Sequence, residues 1–129
     1  MNTNVKIFIS IIGILILGTI AAVLLQPKST PAGPGKYDAF ATCLKDKGAI
    51  FYGAYWCPHC QAQKKLFGSS VNLLPYVECS TADASGQTQI CIDKGIKSYP
   101  TWVFADGTTL NGEIPLQQLA DKTACVLPQ

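Results

Sequence analysis

Cys57-Pro58-His59-Cys60 sets two thiols between the apolar run Ala49-Ile50-Phe51-Tyr52 and the helix-forming run Gln61-Ala62-Gln63-Lys64-Lys65-Leu66-Phe67. If Cys57 opens that helix, Cys60 lies one turn further on, on the same face and near enough to join it in a disulfide. The pair can then open and close without moving the backbone. Orphan N–H groups and the positive end of the helix dipole point at the Cys57 sulfur and favour its thiolate. His59, when protonated, adds a second cationic influence. Cys57 is therefore the expected nucleophile of thiol–disulfide exchange, and Cys60, more buried, the resolving thiol. Pro58 at an early helical position gives up only an N–H that has no partner.

Other chemistries use paired cysteines. A structural zinc needs a second closely spaced Cys or His pair, and Cys79 and Cys91 stand too far apart to supply one. Haem attachment needs a histidine after the second cysteine, where this chain has Gln61. Against a plain structural disulfide, the strand-to-helix setting favours redox chemistry. No resident metal and no cofactor are expected.

The elements that must hold this motif follow in order. Tyr37 to Lys47 reads as a helix, with Ala39, Phe40, Cys43 and Leu44 at helical spacing and Gly48 as its stop. Ala49 to Ala54 is a strand apolar on both faces, as a central strand is. Cys57 to Phe67 is the second helix, ended by Gly68. Tyr76 to Cys79 is a short strand, Ser80 to Gly86 a polar loop, and Gln87 to Lys94 a third helix stopped by Gly95. Thr101 to Phe104 is a strand, Asp106-Gly107 a hairpin turn, and Thr108 to Leu110 the returning strand. Pro115 to Thr123 is a last helix, with Leu116, Leu119 and Ala120 on one face. Lys64 and Lys65 read as a solvated helix face. This order predicts an α/β fold around a mixed sheet.

The chain has 129 residues, enough for one modest domain. Its net charge of +2 comes from ten basic and eight acidic residues spread along the sequence. No basic stripe points to nucleic acid. Six cysteines in this length suit an oxidising compartment.

From Ile7 to Leu25 no residue is charged, with Lys6 before the run and Lys28 after it. As a helix this segment rises about 28 Å, close to the hydrocarbon core of a bilayer. Residues 1–26 are read as a membrane anchor. The competing reading is a cleaved signal peptide with Thr19-Ile20-Ala21 as its small-residue site, but the apolar run continues beyond it through Val23-Leu24-Leu25. Both put the rest of the chain outside the cytoplasm, at the membrane or, if cleaved, secreted. Residues 27–36, rich in Pro, Gly, Ser and Thr, are a linker, and the folded domain is 37–129.

Three separated stretches make the chain resemble a thioredoxin-fold protein: the strand running into Trp56-Cys57-Pro58-His59-Cys60, then Gly95-Ile96-Lys97-Ser98-Tyr99-Pro100-Thr101, then the Asp106-Gly107 hairpin followed by Gly112. The resemblance implies a thioredoxin-like fold, a central mixed β-sheet flanked by helices, here preceded by one transmembrane helix. It implies that Pro100 is cis and faces the redox cysteines, keeping a backbone edge at Tyr99 beside Cys57 where an extended substrate can pair. Trp56, Tyr99 and Thr101 are the substrate-binding candidates, and Trp56 with Tyr55 reads as a partly exposed apolar platform. Within the family the chain is most similar to the thioredoxin-like domain fused to bacterial vitamin K epoxide reductase homologues, through Tyr52 to Gln61, Pro75 to Cys79 and Tyr99 to Trp102.

That likeness implies that Cys79 and Cys91 form a structural pair, closing a loop of about 13 residues for roughly 3 kcal/mol on the chain-entropy model. Cys43 and Cys125 are left either as a pair or as free buried thiols; in this fold the first and last helices usually cover opposite faces of the sheet, which argues against a bond. Two positions depart from thioredoxins proper: Phe51 stands where they carry a buried Asp, and Pro58-His59 replaces Gly-Pro.

The expected activity is that of an extracytoplasmic, membrane-tethered protein thiol–disulfide oxidoreductase. It would act as an oxidant of protein thiol substrates, recharged by a membrane-embedded quinone-coupled oxidase. The alternatives are a reductase or isomerase running the same chemistry in reverse from a membrane electron donor, and a thioredoxin-fold chaperone holding copper(I) or zinc through Cys57, Cys60 and His59.

Overall fold

A computed structural model describes residues 2–24 and 33–129 in two units, one ending at Ala32 and one beginning at Gly33. The first holds helix α1, Thr3–Leu24, long and apolar enough to cross a membrane, with Ile7, Phe8, Leu15 and Leu17 exposed along it. The expected linker lies outside the described residues apart from 33–36.

The second unit runs α2 (Asp38–Asp46), β1 (Ile50–Gly53), α3 (Pro58–Lys65), a 3-10 helix (Gly68–Leu73), β2 (Tyr76–Glu78), α4 (Gln89–Asp93), β3 (Thr101–Val103), β4 (Thr109–Asn111) and α5 (Leu116–Thr123). The sheet order is β2-β1-β3-β4, with β1 parallel to β2 and antiparallel to β3, and β3 antiparallel to β4. This is the expected α/β architecture around a mixed sheet.

Alternation along the strands divides the core. Phe51 and Trp102 stand opposite each other in register and stack at 4.9 Å between ring centroids, packing with Phe40 and Leu44 of α2, Cys60 of α3 and Leu119 of α5. Their neighbours Tyr52 and Val103 belong to a second cluster with Cys79, Cys91 and Ile96. β1 is thus buried on both sides, as a strand without polar alternation must be.

Because α2 and α5 share one apolar cluster, Cys43 and Cys125 meet in a disulfide with Cα atoms 5.9 Å apart. This corrects the expectation that these helices cover opposite faces. Closing so long a loop is worth about 4.5 kcal/mol on the chain-entropy model. Cys79 and Cys91 are joined as well, with Cα atoms 5.6 Å apart.

The 3-10 helix was not expected. Gly68 (φ +54), its first residue, takes left-handed dihedrals that glycine adopts freely, and the chain then turns so that Ser70 is buried and its Oγ accepts the Tyr37 N–H at 3.1 Å. That bond ties the entrance of α2 to the segment following α3.

Candidate active site

β1 delivers the motif. After Gly53 and Ala54 the chain turns through Tyr55 and Trp56, the Cys57 N–H donates to Ala54 O at 3.0 Å, and Cys57 takes extended dihedrals (φ −76, ψ 119) as the N-cap of α3. Its carbonyl accepts the Gln61 N–H at 3.1 Å, so the helix starts at Pro58, where a missing N–H costs nothing. Cys57 and Cys60 are the free cysteines among the described residues, 5% and 1% exposed.

Burial pushes the Cys60 thiol up to about 12, and the neighbouring Cys57 adds to this, while the Ala54 backbone hydrogen bond and the charge of Lys64 oppose it. Cys57 Sγ makes no capping bond to the α3 amides; its thiol donates instead to Tyr99 O at 3.8 Å. The Tyr99–Pro100 bond is cis, and Pro100 is fully buried. The proline edge and the nucleophile candidate are therefore adjacent.

His59 stands outside this pair. It is 68% exposed, and its Nδ1 lies 2.6 Å from Glu113 Oε1. Glu113 carries no local signal linking it to the motif, being 54 residues away. It is held there by its neighbour: the buried Gln63 side chain donates to Ile114 O at 3.0 Å and accepts from Ile114 N–H at 2.6 Å.

Trp56 is half-exposed beside the motif, anchored by its Nε1 donating to Ser80 Oγ at 2.8 Å and packed edge-on against Tyr99 at 6.2 Å. The Tyr99 hydroxyl in turn accepts from Gln87 Nε2 at 2.7 Å. Tyr55 is likewise exposed, its hydroxyl donating to Ala82 O at 3.3 Å. Thr101 is set apart from them: its side chain is buried, and its hydroxyl bonds Ser98 O and Asn111 Oδ1, each at 2.7 Å. Its side chain is occupied in holding the sheet end.

Lys64 departs from the expectation of a solvated face. Its Nζ sits 3.3 Å from the centroid of the Tyr76 ring, and burial lowers its affinity for a proton, while Glu78 and Cys60 raise it. The signal was its position four residues after Cys60, on the same helical face. Lys65 is exposed. Among the described residues no three His, Cys, Asp or Glu side chains converge to hold a metal ion, and the His59 imidazole is engaged with Glu113.

The thioredoxin family model matches residues 36–124. The chain belongs to the thioredoxin family. Over 95 residues this thioredoxin-family chain is 42% identical to a protein of Arabidopsis thaliana, thiol-disulfide oxidoreductase LTO1. The match covers 70% of the chain and 25% of that relative, so the chain spans about a quarter of the length of the relative it matches.

Proposed function

We propose that the protein is a membrane-tethered protein thiol–disulfide oxidoreductase that works through Cys57 and Cys60. The observation that carries this reading is Cys57 at the head of α3, its sulfur 3.8 Å from Tyr99 O, with Cys60 one turn behind it and buried. In the oxidised protein a substrate thiolate attacks Cys57 Sγ, the Cys57–Cys60 bond breaks, and Cys60 leaves as a thiolate that takes up a proton. The resulting mixed disulfide is released when the substrate's second thiolate attacks its own bridged sulfur, and Cys57 departs reduced. Two electrons pass from substrate to the protein, leaving a substrate disulfide and a Cys57/Cys60 dithiol.

An extended substrate segment would pair with the backbone at Tyr99, while Trp56 offers apolar contact beside it. The two remaining disulfides and α1 support an oxidising, extracytoplasmic setting at a membrane. The likeness to domains fused to vitamin K epoxide reductase homologues points to a quinone-coupled membrane oxidase as the partner that regenerates the disulfide. Tethering raises the effective concentration of that encounter.

The direction of flow is read from the reduction potential of the Cys57/Cys60 couple. A value well above the glutathione range of about −220 to −260 mV supports the oxidant, and one below it the reductase. The Cys60→Ala variant is expected to accumulate mixed disulfides at Cys57; their accumulation on Cys57→Ala instead overturns the assignment of the nucleophile.

A further inference from the structure

Cys60 poses a chemical problem that the motif itself does not solve. Its sulfur must carry negative charge both when it attacks Cys57 to close the disulfide and when it departs as the disulfide opens, yet it lies in the apolar core with Phe51 and Trp102. A buried charge without a partner is costly. β1 brings no ionisable group to it from Phe51 or Gly53. The titratable groups that bear on this region are Cys57 and Lys64 from α3 and Tyr76 and Glu78 from β2.

Three of these are fastened together. Cys60 Sγ and Tyr76 Cε2 crowd the same point above Gly53, 2.8 and 3.1 Å from where a Cβ would stand. The same Tyr76 ring carries the Lys64 ammonium on its face at 3.3 Å. The ring is fixed from behind: the Tyr76 hydroxyl donates to Glu78 Oε2 at 2.6 Å, and Glu78 Oε1 accepts the N–H groups of Tyr55 at 3.2 Å and Ser80 at 2.9 Å. A long, mobile side chain is thereby kept on the Cys60 side of its helix.

We propose that Lys64, seated on Tyr76, is a positioning residue for disulfide exchange: its ammonium stabilises the Cys60 thiolate each time the Cys57–Cys60 bond closes or opens. The inference rests on the thiol–disulfide reading above. On closure, the Cys60 thiol loses its proton to solvent, its thiolate attacks Cys57 Sγ, the bond from Cys57 to the substrate sulfur breaks, and the substrate thiolate is protonated. On opening, the same charge is returned to Cys60. The burial that favours the neutral thiol is opposed by this cation in both directions.

The test uses the full chain in detergent micelles, with a mixed disulfide formed between Cys57 and glutathione and its Cys60-dependent release followed against pH. Lys64→Met is expected to slow release about three- to tenfold at neutral pH, equivalent to about half to one unit in the titration of Cys60. Its pH profile should move to higher pH, and Lys64→Arg should restore both. Alkylation of Cys57 in a Cys60→Ala background should be unchanged by Lys64→Met. Normal release and an unmoved profile in Lys64→Met overturn the inference alone, as does slowing that Lys64→Arg fails to repair. A wild-type protein that forms no mixed disulfide at Cys57 overturns the exchange reading and this inference with it.

Discussion

Gln63 and Ile114 grip each other by both ends of one amide: the side-chain N–H of Gln63 donates to the Ile114 carbonyl at 3.0 Å, and its oxygen accepts the Ile114 N–H at 2.6 Å. The residues are 51 positions apart, and the contact is buried. It fastens the middle of the motif helix to the segment leading into α5, and so sets Glu113 opposite His59.

Removing that clamp leaves a buried N–H and C=O without partners, at about 1–3 kcal/mol for each group left unsatisfied. Gln63→Leu, close in size, is expected to lower stability by that order in urea unfolding, with the slope of the transition unchanged. An unaltered midpoint would show that water or a shifted backbone satisfies Ile114.

His59 tests the electrostatics at the helix head. A cation at His59 that acts on the redox pair would stabilise the dithiol form and make the disulfide more oxidising. His59→Ala should therefore lower the reduction potential, by about 30 mV for each 1.4 kcal/mol of lost stabilisation. Because the imidazole and Glu113 are both exposed, the change should shrink as salt is added. Equilibration with glutathione buffers at two ionic strengths measures it.

Gly53 is required for the room it leaves. A methyl group there would stand 2.8 Å from Cys60 Sγ, closer than packed atoms tolerate. Gly53→Ala should displace the sulfur, slow disulfide closure and destabilise the fold by about 1–3 kcal/mol. Chemical shifts of Cys60 and single-turnover closure rates report the displacement, and wild-type values for both would refute it.

The elevated Cys60 thiol predicts an alkaline weakness confined to the reduced protein. Its folded value of about 12 exceeds the ordinary 9.0. Between these the unfolded chain has lost the proton that the folded chain keeps, so the unfolded state binds fewer protons and stability falls as pH rises. The contribution is complete below about pH 9 and lost on the way to about pH 12. In the oxidised protein Cys60 does not titrate, and Tyr76, pushed up chiefly by burial and by Glu78, loses only the smaller push it receives from the two cysteines. The urea midpoint of the reduced form should accordingly drop relative to the oxidised form above pH 9; parallel midpoints would contradict the shift.

The Cys79–Cys91 bridge closes a short loop in the core, where a staple is the expected role. Replacing both by Ala should cost roughly 3 kcal/mol of stability while leaving the exchange rate at Cys57 close to wild type. A matching loss of exchange in a folded variant would give the bridge a redox role.

What the amino-acid order determined alone is local. Cys57 to Cys60 between an apolar run and a helical run, the Asp106-Gly107 turn, Pro100 after Tyr99 and the sequence of helices and strands are all written within a few residues, because periodicity, capping and turn chemistry act over one or two turns of chain. Even the failures there are small, such as α3 stopping at Lys65 and the 3-10 turn after it. The partners that shape the site were decided only by tertiary packing: Glu113 on His59, Gln63 on Ile114, and Cys43 joined to Cys125 across 82 positions. Such contacts depend on which faces of which helices share a core, and no local pattern encodes that. Lys64 shows the boundary: its spacing from Cys60 was visible, but the ring that holds it belongs to another strand and existed only once the sheet had formed.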